Sequence, residues 1–341
     1  MPTMSLPPTA EIKQASAIKP RQTMRGHTGW VTGVAHLPDG KRIITCSNDS
    51  SLRLWNLESG VQIGNDWRDD GIVVGVWNIS LSPNGKTAAS GSMDGKVRLW
   101  DVETAKVVAR WIGHTDIVSS LCWGVDGERV VSGSDDGTIR VWDVKSGNTI
   151  LGPIKTGQLY VSAVIYSPNT TKIATGGGYE TALQIWDAKT GNLLSTIKHD
   201  SQVSSLAWTL DQKTVITGSQ GGSIRIFDTT TWQQIAILEG HTHIVQSLSL
   251  FQNGRLLAST SYDRTARLWN LDTNLPVGPP LQHQSFVQSA AISADGKLLV
   301  TGCADNNAYL WDIHTMLKHD GLEDLLSIPN VNTPTSVSPQ Y

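Results

Sequence analysis

Between positions 118 and 154 apolar and polar residues alternate in four short runs separated by tight-turn signals. VSSLCW (118–123) is followed by Val125-Asp126-Gly127, RVVSGS (129–134) by Asp135-Asp136-Gly137, and TIRVWDV (138–144) by Lys145-Ser146-Gly147. The fourth run is NTILGPI (148–154). Alternation over four to eight residues marks a strand with one face buried, and Asp-Gly or Asn-Gly between such runs is a strong hairpin signal. The same dipeptides recur at Asp39-Gly40, Asn84-Gly85, Asp94-Gly95, Asn253-Gly254 and Asp295-Gly296. The pattern therefore predicts units of four antiparallel strands, named a to d here. Pro153, Pro276, Pro279 and Pro280 fall in the fourth strand of their units. Proline cannot donate to a ladder, so strand d is predicted at the sheet edge.

The unit repeats. Its third strand reads SLRLWN at Trp55, KVRLWD at Trp100, TIRVWD at Trp142, ALQIWD at Trp186, SIRIFD at Phe227, TARLWN at Trp269 and NAYLWD at Trp311. Successive spacings are 45, 42, 44, 41, 42 and 42 residues. A four-stranded sheet with two apolar faces cannot bury itself alone, but seven packed face to face around an axis can, provided the ring closes. The predicted fold is all-β, a seven-bladed β-propeller. The last unit supplies only three strands before His314, whereas residues 20–25 precede the first Gly26-His27 as a d strand precedes each later His. The N-terminal segment is thus expected to complete blade seven. The expected layout is a flexible tail over 1–18, a propeller over 19–315, and a C-terminal tail over 316–341. That tail is expected to be mobile, with a short amphipathic helix conceivable from Met316 to Ile328 (Leu317, Leu322, Leu325, Leu326) before disorder.

Composition changes this picture little. With 27 basic and 30 acidic residues among 341 and no long run of either sign, nothing predicts attraction to nucleic acid or an anionic membrane. Cys46, Cys122 and Cys303 are odd in number and widely spaced, so neither a disulfide framework nor a metal site is predicted. No cofactor is expected. No leader and no run of eighteen apolar residues is visible, so a cytoplasmic or nuclear protein is expected rather than a secreted one. The acceptor sequences at Asn48, Asn78 and Asn169 are accordingly expected to stay unglycosylated. The one compositional oddity is thirteen Trp against three Phe, as if one repeated position demanded Trp.

Gly-His, a Ser/Thr-Gly-Ser-x-Asp-Gly turn and Trp-Asp recur together over about residues 20–313, and in this the chain resembles the WD-repeat family. The resemblance implies a hydrogen-bonded set in each blade: a His, a strand-b hydroxyl, a turn Asp and a strand-c Trp. Blade one carries His27, Thr45, Asp49 and Trp55, and blade three His114, Ser132, Asp136 and Trp142. Blade six has His241, Ser259, Asp263 and Trp269; blade seven has His283, Thr301, Asp305 and Trp311. Blade two keeps Ser90, Asp94 and Trp100 but lacks the His. Blade four lacks it too, with an extra residue in Gly176-Gly177-Gly178-Tyr179-Glu180. Blade five keeps His199 and Thr217 but has Gly221 and Phe227 in place of Asp and Trp.

A His, a hydroxyl and an Asp invite comparison with a nucleophilic triad. The set appears four times at one repeat position, alternates between Ser and Thr, and is tied to an indole N–H that needs a partner when buried. It is read as structural, and no enzyme is expected. The arginines two before the aromatic (Arg53, Arg98, Arg140, Arg225, Arg267) are spread evenly around the ring and are read as packing and ion-pairing groups.

In WD-repeat proteins partner contacts concentrate on the face bearing the d–a and b–c loops. The resemblance places them three and five residues after the His and just before the turn Asp. These are Trp30, Thr32 and Asn48; Gly75, Trp77 and Met93; Ile117, Ser119 and Asp135; and Tyr160, Ser162 and Tyr179. Blades five to seven give Gln202, Ser204 and Gln220; Ile244, Gln246 and Tyr262; and Phe286, Gln288 and Ala304. Trp, Tyr, Phe, Ile and Met are the residue types that anchor interfaces. The expected function is a non-catalytic scaffold, monomeric by itself, that binds a protein or peptide partner here. Small-molecule or carbohydrate binding is the alternative, and some of these side chains could instead plug the channel.

Overall fold

The computed structural model describes residues 18–70, 73–178 and 182–327. Among these, 28 strands form seven four-stranded antiparallel sheets. Six sheets are built from consecutive strands. The seventh sets Gln22–Arg25 beside Asn307–Asp312, with Gln22 opposite Leu310 and Arg25 opposite Asn307. The chain thus closes its ring through hydrogen bonds between its first strand and its last, as the repeat arithmetic predicts. Met24, only 1% exposed, carries the apolar part of this closure into a cluster with Trp55, Val300 and Leu310.

The a strands pack on one another around the axis, and each sheet runs outward from a to d. The outermost strands include Thr149–Lys155 and Leu275–Gln282, which hold the four prolines. Every core cluster joins two successive blades. In one, Ala89, Val97, Leu99 and Trp111 of blade two meet Val118, Leu121, Trp123, Val130 and Trp142 of blade three. A single blade would leave half of such a cluster in water, which is why the repeats fold together.

The recurrence of Trp has a specific cause. In six blades the strand-c indole donates its N–H to the strand-b hydroxyl, as from Trp142 to Ser132 at 2.8 Å and from Trp186 to Thr175 at 2.9 Å. Phenylalanine would fill the volume but leave that oxygen short of a donor. The Asp or Asn after the Trp has its own task. Asn270 of blade six accepts from Asp272, two residues on, whereas in blades three and four the side chain accepts the backbone N–H three residues on, from Ser146 to Asp143 and from Thr190 to Asp187 at 2.7 Å each. That bond shapes the c–d turn, which closes on left-handed glycines at Gly147 and Gly191 (φ +72° and +73°).

Blade seven uses the same residue differently. Asp312 accepts from Thr315 at 3.0 Å, but Met316 follows where blades three and four have glycine, and a helix starts instead. It spans Ile313–His319 and is followed by a 3₁₀ turn, Glu323–Leu326. The helix therefore begins three residues before the expected Met316, and a boundary at 315 would cut it. Nor is residues 313–327 a mobile tail: Ile313, Met316, Leu317 and Leu325 are buried against blades six and seven. Asn253 donates to the Leu325 carbonyl at 2.6 Å and Arg255 to the Asp324 carboxylate at 2.9 Å. The expectations for residues 1–17 and 328–341 lie outside the described residues.

Candidate functional site at the channel mouth

The His–hydroxyl–Asp sets assemble in blades one, three and six. His114 Nδ1 lies 2.9 Å from Asp136 and its Nε2 2.7 Å from Ser132, which also takes the Trp142 indole. His27 and His241 repeat this with Asp49 and Thr45, and with Asp263 and Ser259. A fifth member joins each set. Ser51, Thr138 and Thr265 donate to the same carboxylates and lie 3.2–3.3 Å from the His Nδ1. The strand-b hydroxyls are fully buried and already engaged on two sides. A nucleophile needs an open approach, and these have none.

The electrostatics agree with a structural role. Burial acts to raise the Asp49 carboxyl, but hydrogen bonds from His27, Ser51 and the Thr28 N–H outweigh it and hold it well below the ordinary range. Burial pushes His114 and His241 below the usual imidazole value against the pull of Asp136 and Asp263.

Blade seven departs from the expected set. His283 reaches Thr301 at 2.8 Å, but its Nδ1 faces the Leu281 carbonyl at 3.1 Å and not Asp305. Asp305 instead accepts the Tyr309 hydroxyl and the Asn307 amide. Tyr309 stands where five other blades carry Arg, and its hydroxyl wins the carboxylate from the imidazole. In blade two, which lacks the His, Arg98 binds Asp94 through both terminal nitrogens, and its Nε donates to the buried Asp69 at 2.7 Å. In blade five Asp200 takes over, 3.3 Å from His199 and also paired with Arg225. The arginines so engaged do not form a free basic ring.

On the rim above these sets, one bond fixes the candidate contact positions. In every blade the backbone carbonyl three residues after the His position accepts the N–H of the residue at the b–c turn. It links Trp30 to Asn48, Gly75 to Met93, Ile117 to Asp135 and Gln202 to Gln220. It also links Ile244 to Tyr262 and Phe286 to Ala304. In blade four Gly178 donates to Tyr160, so Gly178 and not Tyr179 fills this place. The extra residue moves the count by one, and Tyr179 itself lies outside the described residues.

The position five after the His behaves otherwise. Each a–b ladder breaks register there, as between Val31 and Gly33 or Val118 and Ser120. The residue skipped is a β-bulge that no partner strand counts. Thr32, Trp77, Ser119, Ser162, Ser204, Gln246 and Gln288 occupy the seven bulges, and together they ring a channel of about 230 Å³. Thr32 is therefore not a rim contact: it is 7% exposed and donates to the Val76 carbonyl of the next blade at 2.8 Å. Trp77 is the sole aromatic among the seven.

At the mouth of this channel a depression of about 220 Å³ brings together Trp77, Tyr160, Tyr262, Ile244 and Asp135. The Tyr160 hydroxyl is held by Gln202 at 2.7 Å. Tyr262 stacks on Phe286, centroids 4.9 Å apart and planes 17° apart. Trp30 and Met93 stand apart from the depression on the rim, 41% and 42% exposed, with Met93 against Gly75 beside Asn48. Gln202 and Phe286 act here as supports, a role no local sequence pattern announces. Among the described residues, no group of His, Cys, Asp and Glu could hold a metal ion, and no helix is long and apolar enough to cross a membrane.

The family model described as "WD domain, G-beta repeat" matches six segments, 18–56, 71–101, 105–143, 191–228, 232–270 and 279–312, more than half of the chain. The chain belongs to the WD-repeat family. The longest gap between matched segments of this WD-repeat protein, 144–190, takes in the last strand of blade three and the first three of blade four, the blade with neither His nor regular turn spacing. Among similar proteins, "Cell division cycle 20.1, cofactor of APC complex" from Arabidopsis thaliana is 29% identical over 73% of this chain and 56% of its own length. "Target of rapamycin complex subunit LST8" from Saccharomyces cerevisiae is 35% identical over 29% of this chain and 33% of its own length. "Target of rapamycin complex subunit wat1" from Schizosaccharomyces pombe is 30% identical over 32% of this chain and 35% of its own length. The WD-repeat chain thus spans only part of each of these relatives.

Proposed function

We propose that this WD-repeat chain is a non-catalytic scaffold that binds a peptide or short helix of a protein partner across its channel mouth. The observation that carries the reading is the convergence of Trp77, Tyr160 and Tyr262, from three separate blades, on one depression. Large rigid rings give contact area at low entropic cost, and clustered aromatics are where interface energy concentrates. Trp30, Asn48, Met93, Ile117 and Phe286 extend the surface around it. The relatives are named as complex subunits and as a cofactor of a complex, which fits a platform whose work is assembly. A cytoplasmic or nuclear setting goes with this reading.

The test is a combined Trp30→Ala, Trp77→Ala and Tyr160→Ala variant, measured for melting and for partner recovery by affinity purification and mass spectrometry. A hot spot loses at least about 2 kcal/mol on truncation, roughly thirtyfold in affinity. Unchanged melting with lost partners supports the scaffold. Partners retained in full overturn it, and a glycan array that lights up while no protein is recovered points to carbohydrate instead.

A further inference from the structure

We infer that the channel mouth is a receptor for a single lysine side chain, with the aromatic rings receiving its alkyl stem and Asp135 its ammonium. The inference rests on the scaffold reading above and names the group the partner presents.

Three features of the depression argue for a cation. Trp77, Tyr160, Tyr262 and Ile244 form its aromatic and aliphatic wall, Ser119, Ser162, Ser204, Gln220 and Gln246 add neutral polar lining, and Asp135 is the one charged side chain in it. Ring faces carry negative potential and attract ammonium groups, most strongly where water is displaced. Its volume of about 220 Å³ is below the roughly 300–1,000 Å³ of pockets for drug-sized ligands, a size suited to one long side chain.

The carboxylate distinguishes lysine from arginine. Asp135 sits at the b–c turn with its N–H bonded to the Ile117 carbonyl, so its backbone is fixed. Ser119, the bulge residue of the same blade, donates to its Oδ1. Among the described residues no other side chain donates to this carboxylate, which leaves Oδ2 for a ligand. Guanidinium forks want two parallel acceptors, whereas an ammonium is satisfied as a point charge by one. Asp136 is already committed to His114 and Thr138, so it adds to the local field without competing for the ligand. Burial, with Asp116 and Asp136 nearby, raises the Asp135 carboxyl above its ordinary value, against the Ser119 bond that lowers it. A lysine ammonium would relieve that, and its binding should weaken as pH falls from neutral toward the carboxyl's raised range.

The experiment titrates ¹⁵N-labelled full-length protein with acetyl-Ala-Lys-Ala-amide and with its norleucine and arginine analogues. The readout is the Trp77 indole N–H signal, assigned by its absence from Trp77→Phe. The lysine peptide should move that signal saturably, the arginine peptide more weakly and the norleucine peptide not at all. Asp135→Asn keeps the side-chain shape and should weaken lysine binding at least tenfold at unchanged melting temperature. Equal response to norleucine, an undiminished response in Asp135→Asn, or no response to any peptide overturns the inference. The two readings separate through the recovered partner. If it is lost with Trp30, Trp77 and Tyr160 but kept by Asp135→Asn, the scaffold stands and the lysine receptor falls.

Discussion

Deleting residues 1–25 should leave the propeller open, because it removes the strand Gln22–Arg25 while leaving every other strand in place. Two losses combine. Met24 is 1% exposed within the cluster between blades seven and one, and losing such a side chain from a core costs about 2–5 kcal/mol. The four registered pairs from Gln22–Leu310 to Arg25–Asn307 lose their ladder bonds, at about 0.5–1.5 kcal/mol for each bond. Together these approach the roughly 5–15 kcal/mol by which a folded domain exceeds its unfolded chain. The strand left behind, Asn307–Asp312, would present a bare edge able to pair with another molecule. Two truncations and one point variant separate the terms under calorimetry and size-exclusion chromatography. Removal of 1–15 should leave melting unchanged, and Met24→Ala should lower it by several degrees. Removal of 1–25 should lower it far more and produce aggregates. A 1–25 truncation that stays monomeric and melts within about a degree of the intact chain would refute the closure.

Three further outcomes follow from the buried sets. Ser132→Ala strips a partner from both His114 and Trp142 and should cost about 1–3 kcal/mol in denaturant unfolding, against about 3–5 kcal/mol for Trp142→Ala. Gly221→Asp should stabilise by roughly 0.4–1 kcal/mol, since a Cβ there meets only ordinary contacts with Ser201 and the unfolded chain loses freedom; a lower melting temperature would show that blade five tolerates no turn carboxylate. His283 is pushed down to about 4 by burial, so its contribution is fully present above the unfolded imidazole value of about 6.5. That contribution is lost as pH falls from there toward 4, and His283→Gln should flatten this part of a melting-versus-pH profile.

The blades were legible because independent signals reinforce one another: alternation and an aromatic at fixed spacing in all seven, a hairpin dipeptide in five, and edge prolines in blades three and six. Ring closure could be counted as well, since a missing fourth strand and an orphan strand at the other end have one economical solution. The parts that escaped turn on single atoms or single residues. Counting five residues on from His27, as the family resemblance implies, puts Thr32 among the rim contacts, but Thr32 is a bulge whose side chain turns into the channel wall. The Tyr309 hydroxyl takes Asp305 from His283 across only four residues; repeat comparison shows Tyr in place of Arg there, but not that its hydroxyl would reach the carboxylate. The C-terminal helix begins three residues before the expected Met316 because Asp312, whose counterparts Asp143 and Asp187 shape turns, here caps a helix. Its burial depends on blade six, far off in sequence.

The bulge residues also bear on how such a ring can change over time. A side chain in a paired position is tied to its opposite number and to the face it shares, so replacing it disturbs two strands. One that the ladder skips has no such obligation. Threonine, tryptophan, serine and glutamine all stand at the seven skipped positions here, on sheets that otherwise keep the same register. Side chains of different size and chemistry thus line the channel without altering the ladder, although Thr32 and Ser204 also bond the carbonyls of Val76 and Val245 in the next blade. The side chains that line the channel and those that register the ladder are in this way written at different addresses along each repeat.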